Sequence, residues 1–488
     1  MSQNEYQLLI DGEWRGSDEG TTFEVVNPAN GQTVATCAEA GRAETVAALE
    51  AAQAAFPAWA RTSARERAQI MHRGMDLFRE RLEEASRLLT REQGKPLQDS
   101  RKELAFSADV IDYYAEEGRR ITGTHFEGDG GQTHSFTLKE PLGVVAAITP
   151  WNFPVDLLAW KLGPALAVGC TVVVKPPSEA PLAAIEFMRA LHEAGLPPGV
   201  LNIVTGPGGE VGAEMVTNPI SRKIAFTGST KTGLWIAQEA AKQLKRVTLE
   251  LGGSAPFVVC RDADLALAVP QALRRSFSHT GQICISVNRI FVDEAVAPQF
   301  TEQFAAAASE LRVADGLEVP DADMGPMISE AGRETVRAHV ADAVQKGATL
   351  LCGGREPEGD GYSRGYFYLP TVLANVQREM RVMQEETFGP VAPIATFRTL
   401  DEGLEMANDS PYGLAAYVFT EDLNTAMYAA ERLEAGGVGI NINDITDIRG
   451  PFGGRKMSGL GRELGQPGLD SYLEWKHVRV LRRGVGGE

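Results

Sequence analysis

The sequence predicts an α/β fold built on parallel β-sheets that helices cover on both faces. Between residues 142 and 253, five apolar runs (VVAAITP, TVVVKP, VLNIVTG, RKIAFTG and VTLELGG) end at Gly or Pro and alternate with stretches of helical length. A second alternation of this kind runs from residue 255 to about 450. Strands that are apolar throughout and separated by helices are typical of parallel sheets. With 488 residues, the chain is long enough for two or three domains.

The segments outside the two alternations have other patterns. Up to about residue 118, stretches such as AETVAALEAAQAAFPAWA repeat apolar residues at spacings of three and four, so we expect a helical first segment. Residues 122–140 place glycines between alternating polar and apolar residues, which predicts a projecting hairpin. The C-terminal stretch LDSYLEWKHVRVLRR alternates well enough to form a late strand.

Composition excludes several functional classes. The 47 basic and 65 acidic residues give a net charge of −18, which disfavours nucleic acid or an anionic membrane as the main partner. The five cysteines have no paired spacing and no His/Cys cluster, so we expect neither a metal site nor disulfides. The start MSQNEYQLLIDGEW lacks a signal-peptide pattern, and no apolar run approaches the roughly 20 residues of a membrane span. We therefore expect a soluble, cytoplasmic protein.

The candidate nucleophile is Cys284, in the stretch FSHTGQICIS. A polar approach containing Gly281 leads into it, and an apolar run with strand character follows. A thiol reacts as the thiolate, so we expect surroundings that lower its pKa from about 8.5. The alternative is that Cys284 is a small buried apolar residue.

Other candidates follow the apolar runs, because ligands of parallel sheets bind beyond the carboxyl ends of the strands. Asn152 could donate a hydrogen bond from TPWNFP or serve only as a turn residue. Lys175 is a cation at a strand end or an ordinary surface lysine. Gly228 and Ser229 open a helix whose N-terminus suits a phosphate. Glu250 lies between apolar residues and is either a structural oddity or a general base whose pKa burial would raise.

Taken together, these signals resemble one family. The motifs TPWNFP, VVVKPPSEAP, FTGST, LELGG, GQIC, EETFGPV and PFGGRKMSGLGRE are similar to those of the NAD(P)-dependent aldehyde dehydrogenases, over essentially the whole chain. One departure is Ser254, which follows LELGG where Asn or Lys is commoner. The resemblance implies an aldehyde dehydrogenase-like fold of two Rossmann-type parallel-sheet domains plus a small β oligomerisation element. It places the NAD(P)-binding domain at 1–121 and 142–253, the catalytic domain at 254–453, and the oligomerisation hairpin and strand at 122–141 and 467–488.

The resemblance also implies a mechanism. Cys284 would attack the aldehyde carbonyl, and the Asn152 amide and the Cys284 N–H would hold the oxyanion of the thiohemiacetal, each donor lowering the barrier by about 3 kcal/mol. Hydride would pass to the nicotinamide and leave a thioester, which water activated by Glu250 would hydrolyse. The branch that releases acyl-CoA usually lacks this glutamate, so we expect a free carboxylic acid product.

The resemblance places the cofactor at the strand ends. Lys175 would bind the adenosine ribose, Gly228 and Ser229 the pyrophosphate, and Glu386 the nicotinamide ribose. NAD-restricted members often carry glutamate three residues after the lysine, whereas this chain has Ser178 there and an acid one residue later, at Glu179. A serine does not repel a 2′-phosphate, so we expect both NAD and NADP to be used. The implied cofactor residues are Trp151, Lys175, Ser178, Glu179, Gly228, Ser229, Glu386 and Phe388.

The substrate prediction is divided. The layout, including EQGKPL and YAEEGRRITG, is closest to the succinate-semialdehyde branch, but Trp160 and Ser278 stand where that branch typically has arginines. We therefore expect a broad dehydrogenase of apolar or aromatic aldehydes, with an acidic semialdehyde as the alternative. Arg449 could supply one cation to such an acid, and Phe452 completes the predicted substrate pocket.

Two functions of other classes, and the assembly, complete the predictions. A cysteine hydrolase would use His279, five residues before Cys284, as its base. A catalytically inactive member could serve as a binding protein. The hairpin and the C-terminal strand leave edges that need partners, so we expect a homodimer or homotetramer.

Overall fold

Four β-sheets and fifteen α-helices make up the part of the chain that the computed structural model describes, residues 5–129 and 132–481. The predicted NAD(P)-binding range and the two predicted oligomerisation ranges include residues 1–4, 130–131 and 482–488, which lie outside the described residues. The predicted α/β class is confirmed.

The strands are β1 (Glu5–Tyr6), β2 (Leu8–Ile10), β3 (Glu13–Arg15), β4 (Thr22–Val26), β5 (Thr33–Ala38), β6 (His125–Glu127), β7 (Thr133–Pro141), β8 (Val144–Ile148), β9 (Thr171–Lys175), β10 (Leu201–Ile203), β11 (Ser221–Thr227), β12 (Arg246–Glu250), β13 (Ala255–Val259), β14 (Val287–Asp293), β15 (Thr349–Cys352), β16 (Thr371–Ala374), β17 (Val391–Phe397), β18 (Ala415–Phe419), β19 (Gly437–Ile440), β20 (Gly459–Leu460) and β21 (Leu473–Leu481). The helices are α1 (Arg42–Arg61), α2 (Ala64–Glu80), α3 (Leu82–Gln93), α4 (Leu97–Glu117), α5 (Asp156–Val168), α6 (Leu182–Glu193), α7 (Ala213–Thr217), α8 (Thr230–Ala241), α9 (Leu265–Phe277), α10 (Ala297–Ser309), α11 (Glu330–Gln345), α12 (Arg381–Gln384), α13 (Leu400–Asn408), α14 (Leu423–Arg432) and α15 (Gly465–Asp470).

Two large sheets are parallel in their centres. The first has the order β20-β12-β11-β8-β9-β10-β2-β3 and is parallel from β12 to β10, with antiparallel strands at both edges. The second has the order β15-β16-β17-β14-β13-β18-β19 and is parallel except for β15. Successive residues of β8 enter different cores: Val145 and Ala147 pack into one cluster, Val144 and Ala146 into another. The first sheet is therefore buried on both faces, as its continuous apolar strands predict.

Two smaller sheets lie outside these layers. Strands β6 and β7 form an antiparallel hairpin, and β21 pairs with β7 along nine residues. The other sheet, in the order β1-β5-β4, belongs to a segment expected to be helical. That expectation is wrong for residues 5–38, which contain five strands before α1 begins. These strands are two to six residues long, and a run this short shows too few repeats to reveal its period.

The register of the first sheet brings the predicted site residues to one edge. Lys175 at the end of β9 lies opposite Ile148 at the end of β8. Glu250 at the end of β12 lies opposite Thr227 at the end of β11. Because these strands are parallel, the loops that follow them, including the one with Asn152, leave from the same edge of the sheet.

Candidate active site

Cys284 follows a turn with unusual backbone geometry between α9 and β14. His279, Thr280 and Gly281 all have left-handed φ angles, of 51°, 60° and 69°. Each non-glycine residue in this region costs roughly 1–2 kcal/mol. A Cβ on Gly281 would lie 2.2 Å from the carbonyl oxygen of Gly389, so only glycine fits there. The turn that leads to the thiol is thus strained and closely packed.

Side-chain hydrogen bonds hold this turn in place. Thr280 Oγ1 donates to the Gly325 carbonyl at 3.0 Å, and Gln93 Nε2 donates to His279 Nε2 at 2.9 Å. The His279 ring packs edge-on against Phe153. Among the described residues, His279 forms no hydrogen bond with Cys284, and burial holds the pKa of its imidazole well below the usual range. His279 therefore does not have the geometry of a base for a cysteine hydrolase.

Cys284 is half-buried and lies where two cavities meet. One cavity has a volume of about 370 Å³ and the other about 260 Å³. Asn152, Leu157 and Cys284 line both of them. The thiol and Asn152 are therefore accessible from both cavities.

The electrostatic surroundings of the thiol differ from the expectation. Burial, together with the negative charges of Glu386 and Glu250, raises the pKa of Cys284 to about 12, and Arg275 only partly opposes this. The expected lowering of the thiol pKa is therefore wrong. The sequence marks the polar approach to Cys284, but the two carboxyl groups come from distant segments and their proximity is not visible in the motif.

Hydrogen-bond donors flank the thiol. Asn152 Nδ2 donates to the Gln282 carbonyl at 3.0 Å, which uses one of its two N–H groups and leaves the other for a ligand. The Cys284 N–H donates to no backbone carbonyl of the described residues. Both donors are thus available to an oxygen atom bound beside the sulfur.

A buried ion pair that the sequence did not reveal supports Asn152. Lys95 Nζ donates to the Asn152 carbonyl at 2.7 Å and pairs with Glu103, and both charged side chains are fully buried. Glu103 in turn accepts from the Val155 and Asp156 N–H groups at 3.1 and 3.3 Å. Lys95 lies in EQGKPL, a motif that could have indicated this role, but Glu103 reads as part of an ordinary amphipathic helix.

Glu250 is the last residue of β12, and its carboxyl group is buried. Neither carboxyl oxygen has a hydrogen-bond partner among the described residues. Burial first, and then the charge of Glu463, raise the pKa of Glu250 well above its usual range. A Cβ on Gly453 of PFGG would lie 2.7 Å from Glu250 Oε1, so this glycine leaves room for the carboxyl group.

A second buried ion pair, also missed in the sequence, lies close to Glu250. Lys161 Nζ donates to Glu463 Oε1 at 2.9 Å and to Thr227 Oγ1 at 2.6 Å, and Lys161 is fully buried. Glu463 raises the pKa of Glu250, whereas Lys161 lowers it. These two charges adjust the pKa of Glu250 in opposite directions, after burial has raised it.

The smaller cavity collects five of the predicted cofactor residues, Trp151, Gly228, Ser229, Glu386 and Phe388. Ser229 caps the N-terminus of α8, where free N–H groups suit a phosphate. Glu386 Oε1 accepts from the Gly253 N–H at 2.8 Å, and burial raises its pKa to about 7. A Cβ on Gly252 would lie 2.5 Å from Glu386 Oε2, so the glycines of LELGG give this carboxyl group its position. The helix N-terminus and the Glu386 carboxyl group suit a phosphate and a ribose hydroxyl of a nucleotide cofactor.

The other three predicted cofactor residues lie at the neighbouring strand end, outside the lining of that cavity. Lys175 is buried, and burial lowers the pKa of its ammonium group. Ser178 Oγ donates to the Gly206 carbonyl at 3.3 Å, whereas Glu179 is exposed. The predicted contact of these residues with the adenosine end of the cofactor stays a prediction.

The larger cavity contains three of the four predicted substrate residues, Trp160, Ser278 and Phe452. The Trp160 and Phe452 rings pack edge to face with centroids 4.9 Å apart. Arg449 does not line the cavity: its side chain is 79% exposed and pairs with Asp447 at 3.0 Å. The prediction for Arg449 is therefore wrong, because a carboxylate two residues earlier binds the guanidinium in its own turn.

Comparison with known proteins identifies the family. The model of the aldehyde dehydrogenase family matches residues 14–478. The chain belongs to the aldehyde dehydrogenase family. It is 44% identical to an NADP-dependent succinate-semialdehyde dehydrogenase of Escherichia coli and 44% identical to a glutarate-semialdehyde dehydrogenase of Pseudomonas putida, each over 97% of both chains.

Solved structures agree with this assignment. A succinate-semialdehyde dehydrogenase from Burkholderia pseudomallei superimposes with a TM-score of 0.95 at 44% identity, covering 98% of both chains. A betaine aldehyde dehydrogenase from Staphylococcus aureus in complex with NAD+ gives a TM-score of 0.96 at 36% identity, covering 99% of this chain and 96% of that one. This aldehyde dehydrogenase thus oxidises an aldehyde with NAD or NADP. Within residues 5–129 and 132–481, no helix combines the length and apolar character of a membrane span.

Proposed function

We propose that this aldehyde dehydrogenase oxidises apolar and aromatic aldehydes to free carboxylic acids, with Cys284, Asn152 and Glu250 as its catalytic residues. The position of Cys284 between the two cavities carries the proposal. Gly228, Ser229 and Glu386 line one cavity, and Trp160 and Phe452 line the other, which also contains charged side chains. The thiol is therefore within reach of ligands in both.

In the first step, Cys284 Sγ attacks the aldehyde carbon and its proton leaves to a base or to water. The carbonyl oxygen becomes an oxyanion, which accepts hydrogen bonds from the free Asn152 Nδ2–H and the Cys284 N–H. Donors fixed before the reaction lower the barrier by about 3 kcal/mol each. Lys95 holds the backbone carbonyl of Asn152, and the Gln282 carbonyl accepts from Asn152 Nδ2 and so orients the side-chain amide.

Glu250 acts in the second half of the reaction. Its carboxyl oxygens have no hydrogen-bond partner among the described residues, so they are free to bind a water molecule. A carboxylate whose pKa is raised toward neutrality is a stronger base than a surface one. Loss of a hydride from the thiohemiacetal, for which NAD(P) would be the acceptor, gives the thioester. Glu250 takes a proton from the water as the water oxygen attacks the thioester carbon, the C–S bond breaks, Cys284 leaves as the thiolate, and the free acid departs.

The residues at the strand ends hold the cofactor. When bound, NAD or NADP supplies the hydride acceptor. Gly228 and Ser229 present N–H groups to the pyrophosphate, and Glu386 accepts from a ribose hydroxyl. Ser178 adds no negative charge next to a 2′-phosphate, which supports the use of both cofactors.

The aromatic wall supports the choice of substrate. Trp160 and Phe452 bury the tail of an aldehyde, with a gain of roughly 0.8 kcal/mol for each CH₂ group. The names of the E. coli and P. putida relatives favour a second candidate, an aldehyde with a distal carboxylate. The absence of Arg449 from the cavity weakens that candidate.

The test of the mechanism is Cys284→Ala. NAD(P)H production from pentanal should fall below detection in this variant. The matched control is Cys352→Ala, a half-buried cysteine on β15 outside both cavities, and it should keep wild-type turnover. Full turnover by Cys284→Ala would exclude the mechanism. Comparison of kcat/KM for pentanal, benzaldehyde and succinate semialdehyde decides the substrate class. A hundredfold preference for the semialdehyde would place acidic semialdehydes before apolar and aromatic aldehydes.

Domain roles, assembly and location belong to the same proposal. The two large sheets support a division into the predicted NAD(P)-binding and catalytic domains.

Trp475 and Leu481 on β21 are 61% and 63% exposed, which supports a homodimer or homotetramer that covers them. Light scattering that gives the 52.6 kDa mass of one chain would exclude such an assembly. Five free cysteines fit a reducing cytoplasm.

A further inference from the structure

Most charged side chains that line the larger cavity, the proposed substrate site, form ion pairs with each other. Four acidic residues line it, and three of them form ion pairs with cations that also line it. The fourth, Asp156, forms no ion pair with any of the described residues. The three pairs are Lys102 with Asp99 at 3.2 Å, Arg275 with Asp444 at 2.7 Å, and Lys95 with Glu103.

Asp156 is attached to the aromatic wall of the cavity. It is half-buried at the start of α5, and its Oδ1 accepts from Trp160 Nε1 at 2.8 Å. Its second oxygen, Oδ2, has no hydrogen-bond partner within residues 5–129 and 132–481. Burial and the neighbouring Glu103 raise the pKa of Asp156 well above its usual range, which favours the protonated acid while no cation is near. An ammonium group bound beside Asp156 would lower this pKa and pair with the ionised carboxylate.

Building on the proposed function, we propose that Asp156 determines specificity by favouring aldehydes with a positively charged, ammonium-bearing end over aldehydes with a distal carboxylate. An ammonium group in the cavity would give Asp156 the cation that the protein does not provide. Trp160 and Phe452 line the same cavity, and the face of an aromatic ring attracts a cation that lies over it. A distal carboxylate would gain no ion pair from Asp156, and it would repel the ionised form of that side chain.

Arg274 is the counterpart that could favour an anion. It lines the cavity and, among the described residues, has no ion-pair partner. Its side chain is exposed to solvent, where salt and water screen its charge. Asp156 lies deeper, at Trp160, so its charge acts on the substrate with less screening. We therefore assign the selection of charge to Asp156.

The experiment measures kcat/KM for pentanal, succinate semialdehyde and trimethylammoniobutanal, three aldehydes of similar length and different charge. In the wild-type enzyme, the cationic aldehyde should exceed the semialdehyde by at least about tenfold. Asp156→Asn keeps the size and the Trp160 hydrogen bond, and it should lower this ratio by about tenfold or more. Asp156→Glu retains the charge and should keep the ratio above one.

A matched control and a competing variant make the outcome decisive. Asp109→Asn is the same change on the exposed face of α4, outside the cavity, and it should leave the ratio within about threefold of wild type. An unchanged ratio in Asp156→Asn, or a wild-type preference for the semialdehyde that Arg274→Gln removes, would overturn the inference. Failure of the wild-type enzyme to oxidise pentanal would instead contradict the proposed function.

Discussion

Replacing Glu250 by glutamine separates the two halves of the proposed reaction. The change keeps the size of the side chain and removes only the basic carboxylate. Glu250 lies at a strand end, and its oxygens form no hydrogen bonds with the described residues that the substitution could break. The attack by Cys284 and the hydride step do not use this carboxylate, so only hydrolysis of the thioester should lose its base.

The size of the expected rate loss follows from the role of Glu250 as a general base. A positioned general base accelerates a proton transfer by about 100- to 10,000-fold, and we expect the steady-state rate to fall by a factor in this range. The fold should tolerate the change. The carboxyl group is already buried without hydrogen bonds, and glutamine also removes the repulsion from Glu463. The free energy of unfolding should therefore change by less than about 2 kcal/mol.

Stopped-flow absorbance of NAD(P)H is the assay. Glu250→Gln should give a rapid burst of one NAD(P)H per active site, followed by slow turnover. The matched control is Glu310→Gln, an exposed glutamate at the end of α10, which should show wild-type steady-state kinetics. Wild-type turnover by Glu250→Gln at neutral pH, or a variant without a burst, would refute the role of Glu250 as the base for deacylation.

Three further predictions test the surroundings of the site. The rate of alkylation of Cys284 by iodoacetamide should rise about tenfold per pH unit, because the thiol pKa of about 12 lies above the pH of the assay. Glu386→Gln removes a negative charge that raises this pKa, so alkylation should become faster. Slower alkylation would show that the charge of Glu386 does not raise the pKa of the thiol. Glu463→Gln leaves Lys161 buried without its partner, so calorimetry should show a loss of about 3–5 kcal/mol, and the acid limb of deacylation should move to lower pH because Glu463 raises the pKa of Glu250. Ser178→Glu should lower kcat/KM for NADP by about tenfold or more while that for NAD changes little; equal losses for both cofactors would argue against a role of Ser178 in discrimination.

The central strands and the residues that follow them were predictable from the sequence. A strand buried on both faces is apolar along its whole length, so β8, β9, β11 and β12 stand out between helical stretches. Ligand residues of such a sheet follow the strands, which restricts the candidates to a few positions. Asn152 and Glu250 were found in this way, and the structure brings both close to Cys284.

Features that depend on distant segments were not predictable. The short strand β2 pairs with its neighbour β3, but it joins the large sheet through β10, almost two hundred residues later. Arg449 has the positive charge needed to bind the carboxylate of a substrate, but it forms an ion pair with Asp447 in the same turn. The thiol pKa depends on carboxyl groups from two other segments. In each case the property belongs to a contact in space, and no local pattern of residues records it.

The buried ion pairs around the site are better explained by positioning than by stability. Moving two charges out of water costs several kcal/mol per ion, and apolar residues of similar size often stabilise a fold equally well. Yet Lys95 pairs with Glu103, and Lys161 with Glu463, all four at most 4% exposed. Each pair also acts on the site. The first contacts the backbone carbonyl of Asn152 and the Val155 N–H, and the charges of the second shift the pKa of Glu250. Apolar residues could fill these spaces, but they could not bind the backbone of Asn152 and Val155 or shift the pKa of Glu250. The free-energy cost of burying these charges is therefore consistent with a role in catalysis.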